Sequence, residues 1–196
     1  MTTEIKKKKI SNTNVFDETW SNPMKKPYLE KIVLNIGVGT GGEELERAAA
    51  VLKSISGKEP KKMLSKKNIK EFNLRQGRPI GVKVTIRGEE AEKLLKRILI
   101  VQNNRMLRKS FDNYGNFGFG IVEHITIPGV EYDNLIGIWG LDVCGRIIRP
   151  GMRIRYRRAH RAKIPKHHYV SRDEARYFLE KFFKVKIVEK IEVEYF

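Results

Sequence analysis

Ten lysines and arginines fall between Arg146 and Arg172 without one aspartate or glutamate, and Tyr156, His160, His167, His168 and Tyr169 are interleaved with them. A second run, Lys58 to Arg78, carries eight cations against Glu59 and Glu71, a net of +6. Together the runs hold +16 of the formal +17, so the rest of the 196-residue chain is near neutral. Charge gathered this way does the chemistry of polyanion recognition, and RNA is the polyanion it suits best. In the first run, Arg149, Arg153, Arg155, Arg157, Arg158, Arg161 and Lys163 are mostly guanidinium groups. Their planar forks pair with phosphate and stack on bases, which favours rigid RNA contact over loose membrane attraction. In the second run, Lys61, Lys62, Lys66, Lys67, Lys70 and Arg75 repel one another unless an outside counter-charge is present. Tyr156 either stacks on RNA or packs locally; the residues leave both open.

Other chemistry finds less support. Gly37-Val-Gly39-Thr-Gly-Gly42 satisfies Gly-x-Gly-x-x-Gly between an apolar strand and a helix. A dinucleotide site also needs a second parallel strand ending in an acid about 20 residues on. Glu59 has that spacing, yet Ser54 to Pro60 does not read as a buried strand. Glu43, Glu44 and Glu46 crowd the helix N-terminus where a pyrophosphate would sit. A tight turn is the preferred reading, and no cofactor is expected. The single cysteine, Cys144, permits no internal disulfide, and no spacing with the histidines suggests a metal site. His160, His167 and His168 are read as RNA-facing or solvent-facing, and His124 as a structural residue in a strand. No nucleophile–base or carboxylate pair stands at catalytic spacing, so no enzymatic activity is expected. The longest apolar stretches are far short of the roughly 20 residues that span a bilayer, and no apolar segment follows the basic run Lys6 to Lys9. The chain reads as soluble and intracellular, without a membrane partner.

The elements that must position these residues follow from periodicity. Residues 1–20 are polar and lysine-rich and are expected to be a mobile basic tail, with one domain over 21–196. Glu30 to Ile36 reads as a strand. Glu43 to Ile55 spaces Leu45, Ala48, Ala49, Leu52 and Ile55 as a helix, ended by Gly57. The basic segment 58–78 is expected as a long loop or open hairpin. In Gly81 to Arg87, Val82, Val84 and Ile86 point one way, and Lys83, Thr85 and Arg87 the other. Glu89 to Val101 is a second amphipathic helix. The glycine run Tyr114 to Gly120 is expected to feed a strand from Ile121 to Ile127, with another strand from Ile138 to Ile148. Phe117 and Phe119 in that run either stack on bases or plug the core. Ser171-Arg-Asp-Glu174 is a capping box that opens a last helix to about Phe183, and Lys184 to Phe196 reads as a final strand. Strands and helices mix without a βαβ rhythm, so the predicted class is α+β, a single domain with a mainly antiparallel sheet, helices on one face and long basic loops (58–78 and 146–172). The polar face of Lys83, Thr85 and Arg87 can then meet sugar and phosphate. Asn35 either reaches the same surface or hydrogen-bonds within the protein.

Three segments in register carry a family resemblance: Lys31-Ile-Val-Leu-Asn-Ile-Gly-Val-Gly39, Asn73-Leu-Arg-Gln-Gly-Arg-Pro-Ile-Gly-Val-Lys-Val-Thr-Ile-Arg-Gly88 and Gly115-Asn-Phe-Gly-Phe-Gly-Ile-Val-Glu-His124. From about Asn22 to Ile187 the chain resembles the large-subunit ribosomal proteins that bind 5S rRNA, number five in the bacterial series. Its Asn-Phe-Gly-Phe-Gly form and long basic insertion look archaeal or eukaryotic. The resemblance implies a structural role in the central protuberance of the cytoplasmic ribosome. It implies that one sheet face binds 5S rRNA and large-subunit rRNA, beside a neighbouring 5S-binding ribosomal protein. It also implies a protruding loop, here best matched by Lys61 to Arg75, that reaches P-site transfer RNA. The rival readings are a non-ribosomal RNA-binding or RNA-chaperone module of the same fold, a nucleotide-dependent enzyme and a polybasic membrane-surface protein. The last lacks the amphipathic helix with an aromatic face that interfacial binding needs.

Overall fold

The computed structural model describes residues 16–39 and 41–189. The chain runs through β1 (Tyr28–Gly37), α1 (Glu43–Ser56), β2 (Lys61–Leu64), β3 (Pro79–Arg87), α2 (Glu89–Val101) and β4 (Arg105–Leu107). It continues through β5 (Asn116–Ile121), β6 (Leu141–Ile148), α3 (Arg172–Phe183) and β7 (Lys186–Val188). Five strands make one sheet in the order β2-β3-β1-β6-β5, every pairing antiparallel. β4 and β7 form a separate parallel pair. The class is α+β.

Period-two alternation sets the two faces of the sheet. Ile32, Leu34 and Ile36 of β1 are buried with Val82, Val84 and Ile86 of β3 and Val143 and Ile147 of β6. Each such side chain contributes about 1.5–3 kcal/mol when fully buried. Against this face pack Leu45, Ala48, Val51, Leu52 and Ile55 of α1 and Ala91, Leu94, Leu95, Ile98 and Leu99 of α2, spaced on one stripe of each helix. Gly57 ends α1 in the left-handed region (φ 67°) and its N–H caps the Lys53 carbonyl, a conformation only glycine adopts cheaply. Ser171 caps α3, completing the capping box with Glu174.

The structure decides one open alternative and changes other expectations. The segment from 58 to 78 is the open hairpin, with β2 paired to β3. The glycine run does not merely feed a strand; it is the strand. β5 ends at Ile121, Val122 is 85% exposed, and His124–Thr126 form a 3-10 turn, so His124 is not in a strand. Cross-strand packing overrides the weak propensity of glycine: Phe117 lies opposite Gly145, and its ring fills the space that a Cβ there would need. Residues 16–20 are helical, and Trp20 is buried against Tyr177, Phe178 and Phe182 of α3. The part of the expected tail at 16–20 is therefore packed onto the domain, while 1–15 lie outside the described residues. β7 covers only the start of the expected last strand, and 190–196 lie outside the described residues.

The glycine motif after β1 does not sit in a dinucleotide fold. β1 has antiparallel neighbours on both sides, and the chain leaves α1 for β2 at the sheet edge, so β1 has no parallel neighbour to hold a ribose.

Candidate nucleic-acid interface

The face of the sheet turned away from α1 and α2 is ordered in three rows by register. Arg87, Lys31, Arg146 and Asn116 stand side by side across four strands. The next row is Thr85, Val33, Cys144 and Gly118, and the third is Lys61, Lys83, Asn35, Asp142 and Gly120. Thus Asn35, Lys83, Thr85 and Arg87 share one open face, and Asn35 is oriented toward it. Lys31 and Arg146 at its centre were not singled out from the sequence, though Lys31 alternates with buried Ile32, and Arg146 with buried Ile147. Glu30, extruded at a bulge between Leu29 and Lys31, holds both flanking guanidinium groups, at 3.3 Å from Arg87 and 3.3 Å from Arg146. It aligns the two arginines and leaves Lys31 between them without that counter-charge.

The basic arm folds back beside this face. Arg153, Arg155, Arg157, Arg158, Arg161 and Lys163 are all exposed on it. Arg149 is the correction to the sequence reading: its side chain is only 13% exposed, and Nη2 donates to both oxygens of buried Glu174. A cation spent on an interior carboxylate has no free fork for phosphate. Arg149 instead anchors the arm, with help from His168, whose Nε2 lies 2.8 Å from the Pro150 carbonyl oxygen, and from buried Met152. Tyr156 is 55% exposed and does not pack into the core; its hydroxyl accepts from Arg146 at 2.7 Å. Tyr169 accepts from Arg155 at 3.1 Å. Between arm and sheet lies a cleft of about 1460 Å³, with Lys31, Arg146, Arg155, Arg161 and Lys163 on its walls.

The hairpin projects from the other edge. Backbone bonds tie Ser65 to Arg78 and Gly77, and Ile69 to Leu74, so its two arms stay paired almost to the tip. Lys66, Lys67, Lys70 and Arg75 are exposed along it. Lys61 belongs to the open sheet face, whereas Lys62 points to the helical side and pairs with Glu46 of α1. Lys66, Lys67, Lys70 and Arg75 are therefore brought together on the hairpin, while Lys61 stands on the sheet face and Lys62 on the helical side.

On the other side of the sheet, acidic residues gather at the helix N-termini. Glu43, Glu44 and Glu46 occupy the first turn of α1, and Glu89, Glu90 and Glu92 that of α2, where helix dipoles favour them. A polyanion meets attraction on the sheet and arm and repulsion at these helix ends. Covalent chemistry is poorly served: removal of water from the Cys144 thiol, and then the Asp142 carboxylate, push its pKa up, which keeps it protonated. Among the described residues no three His, Cys, Asp or Glu side chains group to hold a metal, and no helix is long and apolar enough to cross a membrane.

Comparison with known proteins agrees with this geometry. Residues 22–75 match the family model described as ribosomal protein L5, and residues 79–178 match the model of the C-terminus of that ribosomal family. The boundary between the two matches falls between β2 and β3, which are hydrogen-bonded neighbours in one sheet, so it divides no domain. The chain is 48% identical over 166 residues to the large ribosomal subunit protein uL5 of Pyrobaculum aerophilum, covering 85% of this chain and 93% of that one. It is 49% identical over 169 residues to the uL5 protein of Sulfurisphaera tokodaii (86% and 96% covered) and 46% over 170 residues to that of Nitrosopumilus maritimus (87% and 98%). These relatives are archaeal. With its basic sheet face, its hairpin and these matches over most of its length, the chain belongs to the ribosomal protein L5 family, and is an RNA-binding structural component of the large ribosomal subunit rather than an enzyme.

Proposed function

We propose that this protein, in the central protuberance of the cytoplasmic ribosome, fastens 5S rRNA to large-subunit rRNA and steadies transfer RNA in the P site. The open sheet face and the arm grip ribosomal RNA beside a neighbouring 5S-binding ribosomal protein, while the hairpin from Lys61 to Arg75 extends to the transfer RNA. The observation that carries this reading is the one-sided field. Cations line the sheet row Arg87–Lys31–Arg146, the arm and the hairpin, and glutamates gather at the helix N-termini. Binding is by charge neutralisation and shape, with base readout secondary, because A-form RNA hides its major groove. If about eight to ten phosphates are engaged, affinity for 5S rRNA drops on the order of a thousandfold or more between low and moderate salt.

The test separates the two RNA partners. Lys66, Lys67, Lys70 and Arg75, the exposed cations of the projecting hairpin, are replaced together by Ala, and the protein is assayed for 5S rRNA binding and, in large subunits, for retention of P-site transfer RNA. Transfer RNA retention falls while 5S rRNA binding is largely kept. Equal loss of both would reassign the hairpin to ribosomal RNA.

A further inference from the structure

The cleft between arm and sheet has a floor with no packing reason for its shape. Gly118 lies on the open face of β5, and a Cβ built there meets only ordinary van der Waals neighbours, the Val143 carbonyl oxygen at 3.6 Å and Cys144 Sγ at 3.8 Å. Its φ is not positive, so the backbone does not need glycine either. This contrasts with Gly145, whose bareness serves Phe117, and with Gly115, where a Cβ would stand 2.6 Å from the Ile147 carbonyl oxygen. The missing side chain at Gly118 serves nothing inside the protein. What it does is deepen the cleft.

Above that floor stands an exposed aromatic ring. Tyr156 has the guanidinium groups of Arg146 and Arg155 each 5.7 Å from its ring centroid, and Arg146 donates to its hydroxyl, which fixes the ring from its hydroxyl end. Tyr114, 56% exposed, lines the same cleft and meets Tyr169 edge-on at 5.5 Å. Asn116 donates one amide N–H to Asp112 at 2.5 Å, which orients the amide and leaves its carbonyl oxygen to accept from a ligand. A positioned flat ring, a bare floor, an acceptor and a rim of cations make a site for a planar heterocycle joined to phosphate. The volume, about 1460 Å³, exceeds the roughly 300–1,000 Å³ of a small-molecule pocket and leaves room for flanking backbone. Paired bases in a duplex present no free face to such a ring; an unpaired base does.

We infer that the cleft under the arm takes an unpaired nucleotide of RNA, its base stacked on Tyr156 over the floor at Gly118 and its flanking phosphates on Arg161 and Lys163. This rests on the reading of this side as the ribosomal-RNA surface and names the RNA conformation that it selects. Charge alone would favour the duplex, which has the denser phosphate array. A preference for single strand therefore reports the site.

The experiment uses the full chain, a fluorescein-labelled ten-nucleotide RNA of mixed sequence, and the same RNA annealed to its complement. The wild type binds the single strand at least about tenfold tighter than the duplex. Gly118→Val, which fills the floor with a side chain suited to a strand, and Tyr156→Ala both abolish the preference at unchanged melting temperature, while Tyr156→Phe keeps it. A duplex preference in the wild type overturns the inference, as does unaltered single-strand binding by the Gly118→Val protein. Binding of intact 5S rRNA, measured alongside, tells the two failures apart. A chain that binds 5S rRNA with a steep salt dependence but ignores Gly118→Val refutes only the cleft, whereas one that does not bind 5S rRNA refutes the broader reading.

Discussion

Nη2 of Arg149 donates to both carboxylate oxygens of Glu174, at 2.8 and 2.7 Å, and this buried pair fixes the root of the basic arm to the last helix. Glu174 also accepts from Trp20 Nε1 at 3.0 Å and closes the Ser171 capping box. One carboxylate thus joins the helical segment at 16–20, the arm and α3. The arm can carry exposed like charges because its base is neutralised inside the protein.

Breaking that pair from either side leaves a lone interior charge. Arg149→Met or Glu174→Gln is expected to destabilise the protein by about 3–5 kcal/mol, measured by urea unfolding. The double replacement recovers part of that loss, because no uncompensated charge remains. For the folded fraction of Arg149→Met, the salt slope of RNA binding stays that of the wild type. A shallower slope at full stability would make Arg149 an RNA contact after all.

The open sheet face separates two kinds of contribution. Lys83→Ala should reduce the slope of log affinity for 5S rRNA against log salt by about 0.7–0.9, the share of one phosphate. Thr85→Ala should weaken binding by about 0.5–1.5 kcal/mol, a hydroxyl hydrogen bond, with no change of slope. Filter binding across a salt series distinguishes them. Both side chains are off the core, so melting temperatures stay put.

His124 gives the fold a pH dependence. It is buried in the 3-10 turn after β5, and the backbone N–H of Trp139 donates to its Nδ1 at 3.2 Å. Burial lowers its pKa below the ordinary imidazole value of 6.5. The unfolded chain therefore binds the proton more readily than the folded one, and stability rises with pH across this window. The contribution is complete above about 6.5 and is lost as pH falls from there through the folded value. His124→Asn, which keeps an acceptor but cannot titrate, should flatten the change in unfolding free energy between about pH 7.5 and 5.5. Parallel wild-type and variant curves would show that another group governs the acid side.

Periodicity made the scaffold legible. The two amphipathic helices, the capping box at Ser171 and the alternation of Lys83, Thr85 and Arg87 with Val82, Val84 and Ile86 are local patterns, and each stands where it was expected. What escaped the sequence depends on distant partners. Arg149 looks like any other residue of a charge run, because Glu174 lies 25 residues away and only the fold joins them. Trp20 sits at the end of a polar stretch, and its pocket is made by α3, 154 residues beyond in the case of Glu174. β5 is hidden by its glycines, since the reason for the strand is the fit of Phe117 to Gly145 across the sheet. The cleft combines Lys31, Gly118, Arg146 and Tyr156 from three strands and the arm, and no linear spacing announces it.

The central claim, that 5S rRNA lies on the open sheet face and arm, is tested most directly by photo-crosslinking within native large subunits, with crosslinked peptides and nucleotides identified by mass spectrometry. Crosslinks from 5S rRNA are expected at peptides containing Lys31, Lys83 to Arg87 and Arg153 to Lys163, with none from the first turns of α1 and α2. Crosslinks concentrated at those glutamate-rich helix ends, with the sheet face silent, would contradict it.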